Sequence, residues 1–247
     1  MQKLLQAYAK RQAKLAAEKE RLEAMCSFEK QYYAQGVQYI AGVDEAGRGP
    51  LAGPLTIAAV ILPPEARILG LNDSKQLSAK KREQLYDEIL QQAVAVSVNI
   101  VSVSNIDQEN IYRATQRGMG EVLLHLQQQP QVALIDAMPV TAGSIKTVSI
   151  VHGDARSLSI AAASIIAKVT RDRIMEKLAL LYPAYDFEHN KGYGSQKHMQ
   201  ALEALGATRW HRRSYEPVKS MGLEPVAAEE NLLYSPCEGG YTYEPQK

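Results

Sequence analysis

Apolar residues in this chain gather in short runs that stop on charged residues, glycine or proline, and strand-length runs alternate with helix-length ones. Tyr39-Ile40-Ala41-Gly42-Val43 closes on Asp44 and Glu45 and predicts a first strand over 39–45. Thr56-Ile57-Ala58-Ala59-Val60-Ile61-Leu62 stops at Pro63-Pro64 and predicts a second. Alternating apolar and small polar residues over 94–101, and the short runs 132–135 and 146–151, predict three more. Between them lie helical stretches: 78–92 with Ser78 as N-cap, 104–128, 157–181 ended by Pro183, and 195–205 with Gly206 as its stop. Two consecutive strands followed by alternating helices and strands predict an α/β fold with a mixed central sheet flanked by helices.

The flanks differ from this core. Residues 1–33 contain no Gly or Pro, and Tyr8, Leu15 and Leu22 recur every seven positions with Leu4 and Met25 nearby, which predicts one helix with a narrow apolar stripe. It packs on the domain or serves as an interaction helix. From Met221 to Lys247 five Glu oppose one Lys among several Pro and Gly, which predicts a loosely packed acidic tail. The division is therefore an N-terminal helical extension (1–38), a core α/β domain ending in C-terminal helices (39–220) and a flexible tail (221–247).

Composition changes this picture little. The 247 residues are 46% hydrophobic and 22% charged with a formal net charge of +1, so any nucleic-acid surface must be local. The stretch 189–220 carries six Lys/Arg against two Glu, with Tyr193, Trp210 and Tyr215 interleaved, and fits backbone contacts to a duplex or else a solvated charged face. Cys26 and Cys237 make neither a zinc pattern nor a disulfide framework. With no signal peptide in the first thirty residues, and no apolar run near the ~20 residues a membrane helix needs, a cytoplasmic location is expected. The five histidines lack zincin spacing.

The candidate chemistry lies at the strand ends. Asp44, Glu45, Asp136 and Asp154 each sit at or just past the end of an apolar run, where α/β proteins gather ligand sites. Singly, each reads as a turn or cap residue, and Asp154 could cap the helix starting near Ser157. Together, beside the loop Gly47-Arg48-Gly49, they suit hard divalent ions and a phosphate chain. Two such ions roughly 3.5–4 Å apart would serve hydrolysis of a phosphodiester. Side chains of successive strand residues face opposite ways, so Asp44 and Glu45 reach one ion only if the strand ends or kinks between them; Gly42 and Gly47 would permit that. The loop joins strand to strand and lacks Gly-Lys-Ser/Thr, so it is no nucleotide-cofactor loop.

These residues, with Asn72-Asp73-Ser74-Lys75-Gln76-Leu77-Ser78, Leu134-Ile135-Asp136, Gly153-Asp154-Ala155-Arg156, the block from Ala161 to Asp172, Lys191-Gly192-Tyr193-Gly194-Ser195 and His211-Arg212-Arg213-Ser214-Tyr215, resemble the type 2 ribonuclease H family, specifically ribonuclease HII. The resemblance spans 39–219 and implies a ribonuclease H-like fold. It implies Mg²⁺ or Mn²⁺ as cofactor and Asp44, Glu45, Asp136 and Asp154 as catalytic metal carboxylates. Asp172 competes with Asp154 as the fourth carboxylate, and its neighbours Arg171 and Arg173 favour a structural ion pair there. By the same resemblance Gly47, Arg48 and Gly49 read the ribonucleotide 2′-hydroxyl, Lys75 contacts phosphate, and Tyr193 stacks on the following deoxyribose. The related ribonuclease HIII carries a β-containing N-terminal domain and typically lysine at the position of Arg48, so it matches less well.

The implied partners are RNA–DNA hybrids and ribonucleotide-containing duplex DNA, with no membrane, and a monomer is expected. The implied reaction cuts 5′ of single embedded ribonucleotides and leaves 3′-hydroxyl and 5′-phosphate ends. The alternatives are a general hybrid nuclease without junction preference and a non-catalytic nucleic-acid binder, which the clustered negative charge disfavours.

Overall fold

The computed structural model describes residues 2–222 and 241–243. The chain enters through α1 (Gln2–Met25) and α2 (Ser27–Tyr33), then β1 (Ile40–Ala46) and β2 (Leu55–Ile61). There follow α3 (Ala79–Gln92), β3 (Ala95–Val101), α4 (Val103–Glu109), α5 (Ile111–Leu124), β4 (Val132–Asp136) and β5 (Lys146–Ile150). The long α6 (Leu158–Leu181), the short α7 (Phe187–Asn190), α8 (Gln196–Leu205) and β6 (Tyr241–Tyr243) complete the described elements.

The sheet order is β5-β4-β1-β2-β3-β6, with successive neighbours antiparallel from β1 through β2 and β3 to β6, and with β4 and β5 parallel to β1. Every residue of β2 is buried, as expected of a strand covered on both faces. Ala58 and Val60 face a layer made by α3, α6 and the end of α1; Ile57, Ala59 and Ile61 face α5 through Met119, Val122 and Leu123. Helix α6 presses directly on β1, where a Cβ on Gly42 would lie 2.0 Å from the Ser159 carbonyl carbon. Gly42 serves this close approach of helix to strand. It does not kink β1, which stays paired with β2 from Ala41 through Ala46.

Three predicted elements are redrawn. The stretch 104–128 is two helices, because Asn110 adopts φ 71° and its side chain caps α5 by accepting from Arg113 N. The helix over 1–33 breaks at Cys26, a buried free thiol. Its stripe divides: Leu4, Tyr8 and Leu15 are exposed, while Leu22 and Met25 enter the core. On α2, buried Glu29 accepts from Ser157 Oγ at 2.6 Å and Ser159 N at 3.0 Å, so the extension caps the start of α6. Within the expected loose tail, Tyr241–Tyr243 pairs with β3 as an edge strand. The rest of that tail, including Cys237, lies outside the described residues. No described helix is long and apolar enough to cross a membrane.

Candidate active site

Strand register decides how the carboxylates meet. Parallel pairing of β1 and β4 ends at Val43 opposite Ile135, so Asp44 and Asp136 follow side by side. Asp44 pairs with Ala58 and therefore projects to the α6 face, the side on which Val132 and Leu134 of β4 also pack. Glu45, paired with Ile57, projects to the α5 face. The expected kink is absent, and the two adjacent carboxylates flank the strand end from opposite sides. Asp154 arrives on a turn of 3₁₀-helix after β5 (Gly153–Ala155), and Gly153 N donates to Asp136 Oδ1 at 2.7 Å. Asp154 is not the cap of α6, because Ser157 Oγ accepts from Ile160 N.

The cluster is electrostatically strained. Burial, followed by the charges of Glu45 and Asp136, holds the Asp44 carboxyl well above the ordinary range. Glu45 is raised by burial and by Asp136, with Arg48 at 3.5 Å pulling the other way. Asp154 is raised by burial, then by Asp73 and Asp136, against the pull of Lys75 at 3.9 Å. Burial works against the Lys75 charge, but Asp154, Asp44, Asp73 and Asp136 outweigh it and raise its ammonium above the usual value. Such a set of oxygens lacks positive charge and suits divalent ions. Among the described residues no three His, Cys, Asp or Glu side chains form a ready-made cage, so ions here would draw further ligands from water or substrate phosphate.

Asp172 stands apart as an ion-paired residue, with partners other than its sequence neighbours. It binds Lys168 at 2.6 Å and Arg82 at 3.5 Å. Arg82 in turn donates to the carbonyls of Ser74 and Leu77, which flank Lys75, and Ser164 Oγ donates to Ser74 Oγ at 2.8 Å. The Lys75 turn is thereby fixed to α6.

The loop holding Gly47, Arg48 and Gly49 is built by two buried arginines whose roles local sequence does not show. Arg171 donates to the carbonyls of Pro54, Lys191 and Ala52 at 2.9–3.0 Å. Arg212 donates to those of Gly47 (2.6 Å), Arg48 (2.8 Å) and Gly53 (2.9 Å). Gly47 has φ +101°, and a Cβ there would meet Arg171 Nε at 2.0 Å, so the turn admits only glycine. Arg212 is thus no surface cation of the basic 189–220 stretch, and Lys191 is engaged by Glu176 at 2.7 Å. Trp210 packs in the cluster beneath this region.

Tyr193 is 53% exposed, with its ring edge 3.5 Å from where a Cβ on Gly49 would lie. Its loop is docked to the first by Leu51 N donating to Gly192 O at 2.8 Å. Two of the five histidines, His198 and His211, are buried against each other beneath this junction, a placement their spacing did not reveal.

Comparison with known proteins shows the family and the fold. Residues 41–218 match the family described as ribonuclease HII, and residues 1–33 match a second described as ribonuclease HII N-terminal domain, so the extension is not foreign to the family. A ribonuclease HII of Bacillus cytotoxicus is 51% identical over 221 residues, covering 90% of this chain and 85% of that protein. The ribonuclease H2 of Pyrococcus horikoshii superimposes with a TM-score of 0.66 at 28% identity, covering 74% of this chain and 96% of that one. The ribonuclease HII in the Archaeoglobus fulgidus complex with PCNA gives 0.63 at 29% identity over 72% and 95%. The mixed sheet flanked by helices is thus the ribonuclease H-like fold, and this chain belongs to the ribonuclease HII family of endoribonucleases.

Proposed function

We propose that the protein hydrolyses the RNA strand of RNA–DNA hybrids and cuts 5′ of single ribonucleotides embedded in duplex DNA, leaving 3′-hydroxyl and 5′-phosphate ends. The observation that carries this reading is the placement of Asp44 and Asp136 as neighbours on one face, with the Gly47–Gly49 turn directly beyond the same strand. In this reading Asp44, Glu45, Asp136 and Asp154 hold divalent ions, Mg²⁺ or Mn²⁺, with Asp44 and Glu45, which project to opposite sides of the strand, serving different ions. Bound ions would supply an activated water and a counter-charge for the leaving oxygen. The uncompensated, oxygen-only donor set fits that requirement.

The chain's own residues do the rest. Gly47, Arg48 and Gly49 present backbone groups that reach a 2′-hydroxyl without an intervening Cβ, and that group is both donor and acceptor. Arg171 and Arg212 hold those groups in place before substrate arrives. Tyr193 packs on the next sugar, where a second 2′-hydroxyl would clash, and Lys75 contacts phosphate beside Asp154. The catalytic unit comprises 39–220, with 1–38 as extension and 221–247 as tail.

The test is an end-labelled duplex carrying one ribonucleotide, alongside a full RNA–DNA hybrid, each incubated with Mg²⁺, Mn²⁺ or EDTA. Cleavage 5′ of the ribonucleotide, abolished by EDTA, is expected. Cleavage of the hybrid alone would make the protein a hybrid nuclease without junction preference. Binding without cleavage under every metal condition would make it a non-catalytic binder.

A further inference from the structure

His198 and His211 form a buried link between the two substrate-facing loops, and their hydrogen-bond partners dictate the proton positions. A backbone N–H can only donate, so Thr208 N, 2.9 Å from His211 Nδ1, leaves that nitrogen as acceptor. A neutral His211 then carries its proton on Nε2, which lies 2.9 Å from His198 Nε2. His198 must accept there and carry its own proton on Nδ1, 2.9 Å from the Tyr193 carbonyl, which can only accept. Both ends of the chain therefore impose the same direction. Tyr185 and Phe187 pack their rings against both imidazoles, and burial lowers the pKa of each, that of His211 to about 3.

Each end of the link is tied to a loop. The Tyr193 carbonyl also accepts from Ser195 N at 2.8 Å, while Tyr193 N donates to Asn190 O, so the backbone beneath the exposed ring is held from several sides. At the other end, Ala52 and His211 form an antiparallel bridge, and Arg212 N donates to Leu51 O at 2.8 Å. The next side chain, Arg212, grips Gly47, Arg48 and Gly53. The two imidazoles thus join the floor under Tyr193 to the floor under the Gly47–Gly49 turn.

We propose that His198 and His211 are positioning residues that act as a fixed-tautomer spacer, setting the distance between the turn facing the ribonucleotide and the Tyr193 ring facing the next sugar. This inference rests on the proposed roles of those two elements. A spacer of this kind governs productive placement more than duplex affinity, since displacements near 1 Å cost up to about a hundredfold in rate.

Nitrogen-15 spectra of the imidazoles in the wild-type protein at pH 7 test the relay without any variant. Opposite neutral tautomers are expected, Nδ1–H for His198 and Nε2–H for His211. Identical tautomers, or an imidazolium at either position, overturn the relay. Cleavage kinetics on a single-ribonucleotide duplex then test its consequence. His198→Phe should lower kcat roughly tenfold with KM within about threefold. His198→Asn, whose amide can still donate to the Tyr193 carbonyl, should recover part of that loss. In a Tyr193→Ala background, His198→Phe should cost less than about twofold, because the group it positions is gone. An undiminished loss in that background overturns the spacer role. Wild-type turnover by Tyr193→Ala itself would instead overturn the reading of Tyr193, while leaving the tautomer result to stand separately.

Discussion

The carboxylate cluster and the paired substrate loops lie at the same end of the sheet but are built on opposite principles. Asp44, Glu45, Asp136 and Asp154 are crowded together with little positive charge beyond Arg48 and Lys75, and burial and mutual repulsion hold Asp44, Glu45 and Asp154 above the ordinary carboxylate range. The loops around Gly47 and Tyr193 carry almost the reverse, with Arg171, Arg212 and His198 supplying donors to backbone carbonyls and His211 donating to His198. One region is left short of partners that must come from solution; the other is complete before anything binds. Mutations should therefore separate activity from stability, with chemistry lost at the first and folding energy lost at the second.

The largest effect belongs to the carboxylates. Asp44→Asn or Asp136→Asn keeps the side-chain oxygen that accepts from Glu45 N or Gly153 N and removes only charge. Cleavage should fall by about a thousandfold or more. Near wild-type turnover at saturating Mn²⁺ would remove that residue from the metal site.

Arg212→Met should act the other way round. It deprives the carbonyls of Gly47, Arg48 and Gly53 of a buried charged donor, and urea denaturation should record a loss of about 3–5 kcal/mol. A loss below about 1 kcal/mol would mean that water replaces the guanidinium and that the loop is not built as described.

Acid should probe the same region. His211 and His198 have folded pKa values below the unfolded value of 6.5, so the unfolded state binds more protons once pH drops below that point. Stability present above pH 6.5 is then lost as pH falls toward the folded value, about 3 for His211, by up to about 1.4 kcal/mol per pH unit for one group. The groups packed on the pair are Tyr185, Phe187, Thr208 and the Tyr193 carbonyl, none anionic at neutral pH. Denaturation midpoints of wild type and His211→Phe across pH 4–7 measure this, and the variant's profile should be shallower.

The smallest effect is expected at the start of α1. Removing residues 1–14 deletes the exposed positions Lys3 to Lys14 and should change stability by within about 0.5 kcal/mol. Extending the deletion to residue 33 removes buried Leu22 and Met25 and the Glu29 cap of α6, at a cost of several kcal/mol. Equal melting points for the two truncations would contradict the packing of α2.

What local sequence revealed and what it concealed follow the same division. Ser78, Ser157 and Ser195 cap the helices they precede, and Gly206 ends α8 at φ +82°, because capping is decided within a few residues. Asp44, Asp136 and Asp154 stand out as candidates because each lies at or just past the end of an apolar run. The break at Asn110 was missed although Asn tolerates positive φ, since apolar residues continue on both sides. Arg171 and Arg212 could not be recognised as loop holders, because five of their six carbonyl partners lie more than 100 residues away. The same distance hid Glu29, which caps a helix 128 residues later. Gly42 misled for a related reason: the atom that requires it to be glycine is Ser159, on another element.

Melting temperatures of wild type and Asp136→Asn, each with EDTA and with excess Mn²⁺, test most directly whether the carboxylate cluster is built for cations. The metal-free variant should melt at or above the metal-free wild type, since a repelling charge is gone. Mn²⁺ at about a hundred times its dissociation constant should raise wild type by roughly 5–10 °C and leave the variant nearly unmoved. A variant that melts well below wild type in EDTA, and that Mn²⁺ raises by the same amount as wild type, would contradict the account.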